Sequence, residues 1–318
     1  MLRIYVSCYQ YQAFIEDCLA SVARQTWQDF LCTVIDDGST DSSLACAKAA
    51  VGGDSRFSLI RQDNAGQLSV FNRAAAEAED GDLIFFLDAD DIWADDHLAI
   101  VTKAMAGPLA PCDFVFTGKH KSAVALPFKS GKVMSKQCHC LGTTSGMARG
   151  FYTWVGDVTS TLCLRGHLLR RILPYPYIKE WKIRADDCLV LGASVTGAVK
   201  GYIDASTVLY RVHERNNLYG RDTCGRNETP AYRLAKERFV HWLCARESLD
   251  RTPCFRLVLA ELVRAHDWLP FTPGKIFPES ALVMPWPFIK RLEILVAMWR
   301  AQLSYYLSSR GGHRTLLR

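Results

Sequence analysis

The stretch Leu83-Ile84-Phe85-Phe86-Leu87-Asp88-Ala89-Asp90-Asp91 places three acids directly behind five apolar residues. Such an apolar run, with Gly81-Asp82 before it and polar or small residues behind it, is typical of a buried strand. The acids would then lie at the strand's C-terminal end, the edge where open α/β sheets bind ligands. A divalent cation would offset their mutual repulsion, since hard cations prefer carboxylate and phosphate oxygens. The alternative is that Asp90 or Asp91 caps a helix starting near Trp93.

Length and composition are those of a globular protein. The chain has 318 residues, of which 49% are apolar and 22% charged, a typical balance. This length suits one large domain or two smaller ones. No run approaches the roughly 18 consecutive apolar residues of a membrane-spanning helix. Met1-Leu2-Arg3 leads directly into a predicted strand, so a signal peptide is not expected.

The twelve cysteines are scattered and often lie inside apolar runs, as Cys8, Cys32 and Cys163 do. This pattern predicts buried, reduced thiols in a cytoplasmic protein rather than a disulfide framework. Cys138-His139-Cys140 is the tightest cluster. No second pair stands at zinc-finger spacing, so zinc is not expected.

The net charge of +5 resides in the last segment of the chain. From Trp286 onward only Glu293 opposes six basic residues, which are Lys290, Arg291, Arg300, Arg310, Arg314 and Arg318. A helix is predicted from about Phe288 to Leu307, with aromatic residues among the basic ones. This combination of basic and aromatic residues predicts that residues 285–318 contact an anionic membrane surface. The alternative is that the helix packs on the domain or on a second subunit. The sequence therefore leaves the oligomeric state undecided. Nucleic acid is not expected as a partner.

Short apolar runs alternate with amphipathic segments in the first third of the chain. Strands are predicted at 2–8, 30–35, 57–60, 83–87 and 113–116, and helices at 13–24, 42–51, 67–79 and 95–105. This alternation predicts an α/β fold with a doubly wound, mostly parallel sheet. No Gly-x-Gly-x-x-Gly follows the first strand and no Walker loop occurs. A bound nucleotide would therefore depend on a metal for its phosphates.

Five short motifs stand in an order and spacing that resemble the family 2 glycosyltransferases, which are inverting enzymes with the GT-A fold. They are Ser7-Cys8-Tyr9-Gln10, Gln25-Thr26, Asp36-Asp37-Gly38-Ser39-Thr40-Asp41, Asn64-Ala65-Gly66 and Asp88-Ala89-Asp90-Asp91. Each motif alone is weak, whereas the set is specific. The resemblance covers about residues 1–215. It implies a nucleotide-sugar donor, usually a UDP-sugar, together with Mn²⁺ or Mg²⁺.

The resemblance implies roles for residues at the strand ends. Ser7 and Tyr9 match positions that contact the base, where an aromatic ring stacks on uracil. Asp37 matches the acid that accepts a hydrogen bond from the base N–H. Asp88 matches the ribose-binding acid of a D-x-D motif, and Asp90 matches its metal ligand. For the stretch around Asp37, an ordinary Asp-Gly turn is the alternative.

Inversion also requires a base, because an acceptor hydroxyl must lose its proton as it attacks the anomeric carbon. The family places this base as the second acid of a pair before a helix, which corresponds to Asp187. Asp186 stands where the family often has Glu, so the register between the two acids stays open. The alternative is that both acids cap the helix.

The segment Tyr210-Arg211-Val212-His213-Glu214-Arg215-Asn216 resembles a further segment of bacterial family members. The resemblance implies that His213 binds the diphosphate or completes the metal shell. A purely structural histidine is the alternative.

These observations predict a GT-A domain over residues 1–227, with a nucleotide-sugar half (1–117) and an acceptor half (118–227), followed by a helical extension (228–318). Residues 119–149 lack a period and are predicted to be irregular. The predicted reaction moves a sugar from a nucleotide-sugar to a hydroxyl of a glycan or lipid-linked glycan at the cytoplasmic face of a membrane. A sugar-nucleotidyltransferase is the enzyme alternative, and a degenerate sugar-nucleotide-binding or scaffold protein is the non-enzyme one.

Overall fold

The computed structural model describes residues 1–123, 137–214, 216, 229–268 and 286–310. The strands in these residues are β1 (Leu2–Cys8), β2 (Leu31–Asp36), β3 (Phe57–Arg61), β4 (Leu83–Asp88), β5 (Ile92–Trp93), β6 (Phe114–Ser122), β7 (Cys138–Gly142), β8 (Leu162–Arg165) and β9 (Lys200–Arg211). The predicted domain boundary at 227/228 lies outside the described residues. So do positions 285 and 311–318 of the predicted membrane segment.

The nine described strands form one sheet in the order β3-β2-β1-β4-β8-β6-β9-β5, and β7 also pairs with β9. The neighbours β3, β2, β1 and β4 are parallel, as are β6 and β9. β8 runs antiparallel to both β4 and β6, and β5 and β7 run antiparallel to β9. Six of the nine described strands therefore point the same way, which confirms the predicted α/β fold with a mostly parallel sheet.

Helices cover both faces of this sheet. They are α1 (Ile15–Ala23), α2 (Ser43–Val51), α3 (Gln67–Glu77), α4 (His97–Ala106), α5 (Ser145–Phe151), α6 (Gly166–Ile172), α7 (Asp186–Val195), α8 (Pro230–Arg246), α9 (Phe255–Trp268) and α10 (Phe288–Arg310). Apolar side chains of α1, α2 and α4 pack in one buried cluster, and those of α3 and α5–α10 pack in the other.

The central strand β4 is buried on both sides, as its continuous apolar run predicts. Ile84 and Phe86 belong to the cluster with α3 and α7, and Phe85 and Leu87 belong to the cluster with α1 and α4. Successive side chains of a strand point to opposite faces. The run therefore fixes β4 between two helical layers, and its terminal acids emerge at the sheet edge.

The helical extension packs on the same core. Phe239 of α8, Leu262 of α9 and Met298 of α10 are buried in the cluster that contains α3 and α7. Glu261 of α9 is also buried, and it accepts a hydrogen bond from the Met147 backbone N–H at 2.9 Å at the start of α5. One side of α10 is thus packed against the domain. In the described part of the chain, no helix is both long and apolar enough to cross a membrane.

Two predictions of local structure were wrong. The capping alternative for Asp90 and Asp91 places a helix start near Trp93, but Ile92–Trp93 is the strand β5, which pairs with β9. The helix predicted at 95–105 is α4, which begins at His97. Within 119–149, β6 continues to Ser122, and β7 and α5 follow in the described residues. Both β6 and β7 pair with β9. Pairing with β9 therefore stabilises strands whose own sequences show no clear alternation of apolar and polar residues.

Candidate active site

The ends of β1, β2 and β4 bring distant motifs to one edge of the sheet. Ser7 of β1 is in register with Asp88 of β4, and Cys8 is in register with Asp36 of β2. Because these strands are parallel, their C-terminal ends open on the same side. This edge is the candidate active site.

Asp88 ends β4 among hydrogen-bond donors. Its Oδ1 accepts from Ser7 Oγ at 3.2 Å and from Gln67 Nε2 at 2.7 Å. Its backbone N–H donates to Ser160 Oγ at 3.1 Å. Burial, followed by the charge of Asp90, raises the pKa of Asp88 to about 7, against the effect of its donors. The carboxylate is thus held in place while its anionic form is disfavoured.

Asp90 meets the segment that follows β9. Its Oδ2 lies 3.0 Å from His213 Nε2 and accepts from Asn216 Nδ2 at 3.2 Å. The His213 ring stacks on Phe14 with centroids 4.3 Å apart. The Tyr11 ring packs edge-on against His213 with centroids 6.0 Å apart, and burial, followed by the charges of Asp90 and Asp88, raises the pKa of Tyr11. The structure therefore brings the predicted residues Asp90 and His213 together.

Asp91, the third acid, anchors the loop. Its Oδ2 accepts from Ser160 Oγ at 2.5 Å, and its Oδ1 accepts from the Arg211 backbone N–H at 3.2 Å. The Arg211 guanidinium donates to the Asp90 carbonyl and, at 2.9 Å, to Asp17. Burial, followed by the charges of the other two acids, raises the pKa of Asp91 well above its usual range. Neither Asp90 nor Asp91 caps α4, where Asp96 holds the N-cap position.

In the described part of the chain, His213 is the only basic side chain placed to form an ion pair with this acid cluster. There, no Lys or Arg forms an ion pair with Asp88, Asp90 or Asp91, and the side chain of Arg211 pairs with Asp17. Those residues also contain no group of three or more His, Cys, Asp or Glu that could hold a metal ion.

Two possible ligands, Asp90 Oδ2 and His213 Nε2, nevertheless lie 3.0 Å apart. A carboxylate oxygen and an imidazole nitrogen are donors that Mn²⁺ accepts, and a cation bound through substrate phosphates needs only one or two protein carboxylates. The residues present therefore fit a divalent cation whose remaining ligands are phosphate and water oxygens.

Asp37 lies in a different environment at the end of β2. Its Oδ1 accepts from Gln62 Nε2 at 2.7 Å and from the Ala65 N–H at 2.9 Å, and its Oδ2 accepts from the Gly66 N–H at 2.8 Å. Three donors satisfy most of the acceptor capacity of this buried carboxylate. Asp37 thus shapes the loop at 64–66, with one acceptor position left for a ligand. Tyr9 is 46% exposed at the same edge, as a stacking ring requires.

The acidic pair lies in the first turn of α7, where Ala185 holds the N-cap position. Asp187 is buried, and its Oδ2 is 3.3 Å from Arg184 Nε. Asp186 is half-buried. Burial, followed by the charge of Asp88, raises the pKa of Asp186 to about 6. The charge of Asp88 thus acts on Asp186, whereas Asp187 is paired with a guanidinium.

Tyr210 of β9 links the two acidic groups. Burial, followed by the charges of Asp91, Asp90, Asp88 and Asp186, raises its pKa. The start of α7 belongs to the candidate site, because Gln67 hydrogen-bonds both Asp88 Oδ1 and the Ala185 N–H.

Sequence reasoning missed four polar residues of the site. Gln67 follows the Asn64-Ala65-Gly66 motif directly, so its position at the start of a helix was a usable signal. Tyr11 stands just behind the first strand motif. Ser160 lies in a short turn at Thr159–Thr161 and Asn216 beyond β9, and only the fold brings them to Asp88, Asp90 and Asp91.

Comparison with known proteins agrees with this architecture. Residues 3–124 match the model of glycosyl transferase family 2. An uncharacterised glycosyltransferase of Nostoc sp. is 28% identical over 222 residues, which are 68% of this chain and 66% of that protein. The succinoglycan biosynthesis protein ExoW of Rhizobium meliloti is 34% identical over 115 residues, which are 35% of this chain and 36% of that protein.

The fold likewise has a counterpart of known structure. A crystal structure of S. aureus TarS matches with a TM-score of 0.58 at 15% identity, over 96% of this chain and 91% of that one. Residues 3–124 are therefore similar to family 2 glycosyltransferases, and the chain has the GT-A fold. It spans slightly less than two thirds of the Nostoc relative's length.

Proposed function

We propose that this protein is an inverting glycosyltransferase. It transfers a sugar from a UDP-sugar to a hydroxyl of a glycan or lipid-linked glycan and depends on Mn²⁺ or Mg²⁺. One observation carries the proposal. The three acids that end β4 have no Lys or Arg ion pair in the described residues, and Asp90 Oδ2 lies 3.0 Å from His213 Nε2. Such a site attracts a cation together with a diphosphate.

The donor would bind along the edge formed by β1, β2 and β4. Tyr9 offers an exposed ring for stacking on the base, and Ser7 lies beside it. Asp37 has one acceptor position for the base N–H, and Asp88 would accept hydrogen bonds from the ribose hydroxyls. The structural neighbour TarS has been crystallised with UDP-GlcNAc, which supports a uridine nucleotide as the first donor to test.

Asp90 and His213 would hold the metal ion, with Tyr11 and Asn216 orienting them. When bound, the ion would neutralise the charge that develops on the diphosphate as the sugar leaves. Asp91 would hold the loop in shape through Ser160 and does not need to touch the ligand.

The acidic pair of α7 would supply the base. A single carboxylate suffices, because the acceptor hydroxyl displaces the diphosphate in one step. The family motif assigns the base to Asp187. The structure supports Asp186 as the competitor, because it is half-buried and coupled to Asp88, whereas Asp187 is buried against Arg184. Variants of each residue distinguish them.

The first experiment is a screen of nucleotide-sugars by thermal shift, each with and without Mn²⁺. Stabilisation by a UDP-sugar that requires the ion, followed by release of UDP on addition of a glycan acceptor, is the expected result. Stabilisation by nucleoside triphosphates and sugar phosphates instead, with release of pyrophosphate, would contradict a glycosyltransferase and favour a nucleotidyltransferase.

We further propose a division into a GT-A domain (1–227) and an extension (228–318) that brings the enzyme to the cytoplasmic face of a membrane. α10 is apolar on two sides. Ile294 and Met298 are buried, whereas Phe288 and Trp299 are 76% and 63% exposed. The exposed apolar residues are Phe288, Ile289, Leu292, Val296 and Trp299.

Basic residues accompany the exposed face of α10. The side chains of Lys290 and Arg300 are exposed, and each basic group near an anionic bilayer contributes about 1 kcal/mol. A helix that lies in the interface with its apolar face buried in lipid would satisfy both features. A lipid-linked acceptor would be found at the same surface.

Because the opposite face of α10 is packed in the core, point variants test this better than truncation. Ile289→Glu with Trp299→Glu should lose co-sedimentation with anionic liposomes while keeping the wild-type melting temperature. Vesicles of zwitterionic lipid are the control. If the double variant sediments like the wild type, or if the wild type is a dimer that the variant dissociates without lipid, the membrane assignment is wrong.

A further inference from the structure

Gln67, the first residue of α3, connects three parts of the site through one side chain. Its Nε2 donates to Asp88 Oδ1 at 2.7 Å and lies 3.2 Å from Thr159 Oγ1. Its Oε1 accepts from the Ala185 backbone N–H at 3.2 Å. Its own backbone N–H donates to the Lys182 carbonyl at 3.2 Å. A donor-site acid and the N-cap of α7 are thus joined through a single amide.

The chemistry of this bridge requires an amide. The Asp88 carboxylate needs a donor, and the backbone N–H of Ala185 needs an acceptor. Among uncharged side chains of this reach, only Gln offers an N–H₂ donor and a carbonyl acceptor at opposite positions of one rigid group. Glu would keep the acceptor and place a second negative charge beside Asp88. Met would fill a similar volume and make neither bond.

The loop before Gln67 strengthens the connection. The Gly66 N–H donates to Asp37, and Gly66 adopts φ +86°. A Cβ at this position would lie 2.5 Å from Lys182 Cα, so the loop fits against the segment before α7 only because it has a glycine there. The 64–67 loop is therefore packed between the acid of β2 and the segment that carries Asp186 and Asp187.

We propose that Gln67 is a positioning residue that couples occupancy of the donor site to the order of the first turn of α7. This inference rests on the proposed function, in which Asp88 binds the donor and the acidic pair supplies the base. A bound nucleotide-sugar that contacts Asp88 would restrict the side-chain amide of Gln67. The restricted amide would in turn hold the Ala185 N–H, and with it Asp186 and Asp187 in the first turn of α7. The base would then be in place when the sugar is present.

The test measures this coupling with UDP and Mn²⁺, without an acceptor. In the wild type, saturating UDP with Mn²⁺ should slow hydrogen–deuterium exchange of the backbone N–H groups at 182–190. Gln67→Met should weaken UDP binding by calorimetry about 10-fold to 100-fold, as for loss of a hydrogen bond to a charged group. At saturating UDP, the slowing at 182–190 should be absent in this variant.

The matched control is Gln62→Met. Gln62 donates to Asp37 Oδ1 at 2.7 Å and to Ser69 Oγ at 2.6 Å, and in the described part of the chain its side chain has no hydrogen bond to α7. This variant should also weaken UDP binding, yet keep the slowing at 182–190 at saturation. Gln67→Glu is the second Gln67 variant, for the case that Gln67→Met does not fold, and it should lose the slowing because it has no donor for Asp88.

The outcomes separate the two proposals. If the wild type binds no UDP in the presence of Mn²⁺, the proposed function is wrong, and the coupling is wrong with it. If the wild type binds UDP and the Gln67 variants show the same slowing at 182–190 as the wild type and Gln62→Met, only the coupling is overturned.

Discussion

Two pairs of adjacent acids follow parallel strands of the same sheet, and their surroundings differ. At the end of β2, Asp36 lies 3.7 Å from Arg61, and Asp37 accepts three hydrogen bonds, two of them from backbone N–H groups. At the end of β4, Asp90 has only His213 as a potentially charged partner in the described part of the chain. Burial and mutual repulsion raise the pKa values of Asp88 and Asp91.

This difference separates Asp37, whose hydrogen bonds hold a loop, from the β4 acids, to which we assign a ligand-binding role. Donors supplied by the chain stabilise the charge of Asp37 in the folded protein alone. In the β4 cluster no Lys or Arg of the described residues pairs with the acids, which is the basis of the proposed cation site. Perturbed carboxylates that gather at a ligand-binding edge are typical of functional sites. In the sequence alone, Asp36-Asp37 and Asp90-Asp91 look alike.

The largest effect on activity is expected at Asp186 and Asp187, the third acidic pair, which lies in the first turn of α7. Replacement of the base by Asn should lower kcat by about 10²–10⁴-fold, because proton abstraction typically contributes that much. UDP affinity should remain near that of the wild type. Steady-state kinetics of Asp186→Asn and Asp187→Asn would identify the base. If kcat falls in neither variant, the base is not one of these two residues.

The pH dependence sharpens the same assignment. The pKa of Asp186 is raised to about 6, and a base must be deprotonated. If Asp186 is the base, kcat should therefore fall about tenfold per unit as the pH drops below about 6. The measurement is kcat at saturating donor from pH 5 to 8. A rate that stays constant down to pH 5 would exclude Asp186 and leave Asp187, whose Oδ2 lies 3.3 Å from Arg184 Nε.

The smallest effect concerns stability without metal. Asp37→Asn should lower the free energy of unfolding by about 2 kcal/mol, because it weakens hydrogen bonds to a charged acceptor. Asp90→Asn should cost less or even stabilise, because it removes repulsion from two other carboxylates. Denaturant titration in EDTA measures both. If both variants lose the same free energy of unfolding, the proposed difference between the acids of β2 and those of β4 is wrong.

The part of the fold formed by β1–β4 and α1–α4 could be predicted because its signals are local. The run from Leu83 to Leu87 predicts a strand buried on both faces, and alternation of strands and helices predicts the sheet. The ends of β1, β2 and β4 then follow from parallel pairing. The sequence accordingly predicts that Ser7, Asp88 and Asp90 lie at one edge, and the structure has them there.

The rest of the site depends on contacts between distant residues. The strand β7 exists because β9 pairs with it, and its own five residues, Cys138–Gly142, carry no alternation. Gln67 reaches Ala185 across 118 positions, and Arg211 reaches Asp17 across 194. Neither hydrophobic periodicity nor motif spacing in the sequence predicts such contacts. The same limit applies to Asp186 and Asp187, since a one-residue shift in a helix turns a side chain by about 100°.

The measurement that tests the account most directly is the affinity for UDP with and without Mn²⁺, by calorimetry, in the wild type, Asp90→Asn and Asp37→Asn. The account predicts that Mn²⁺ strengthens UDP binding in the wild type and in Asp37→Asn, even though the latter binds UDP more weakly. In Asp90→Asn this enhancement should be almost completely lost, while the fold remains intact. An enhancement in Asp90→Asn equal to that of the wild type would contradict the assignment of the β4 acids to a cation.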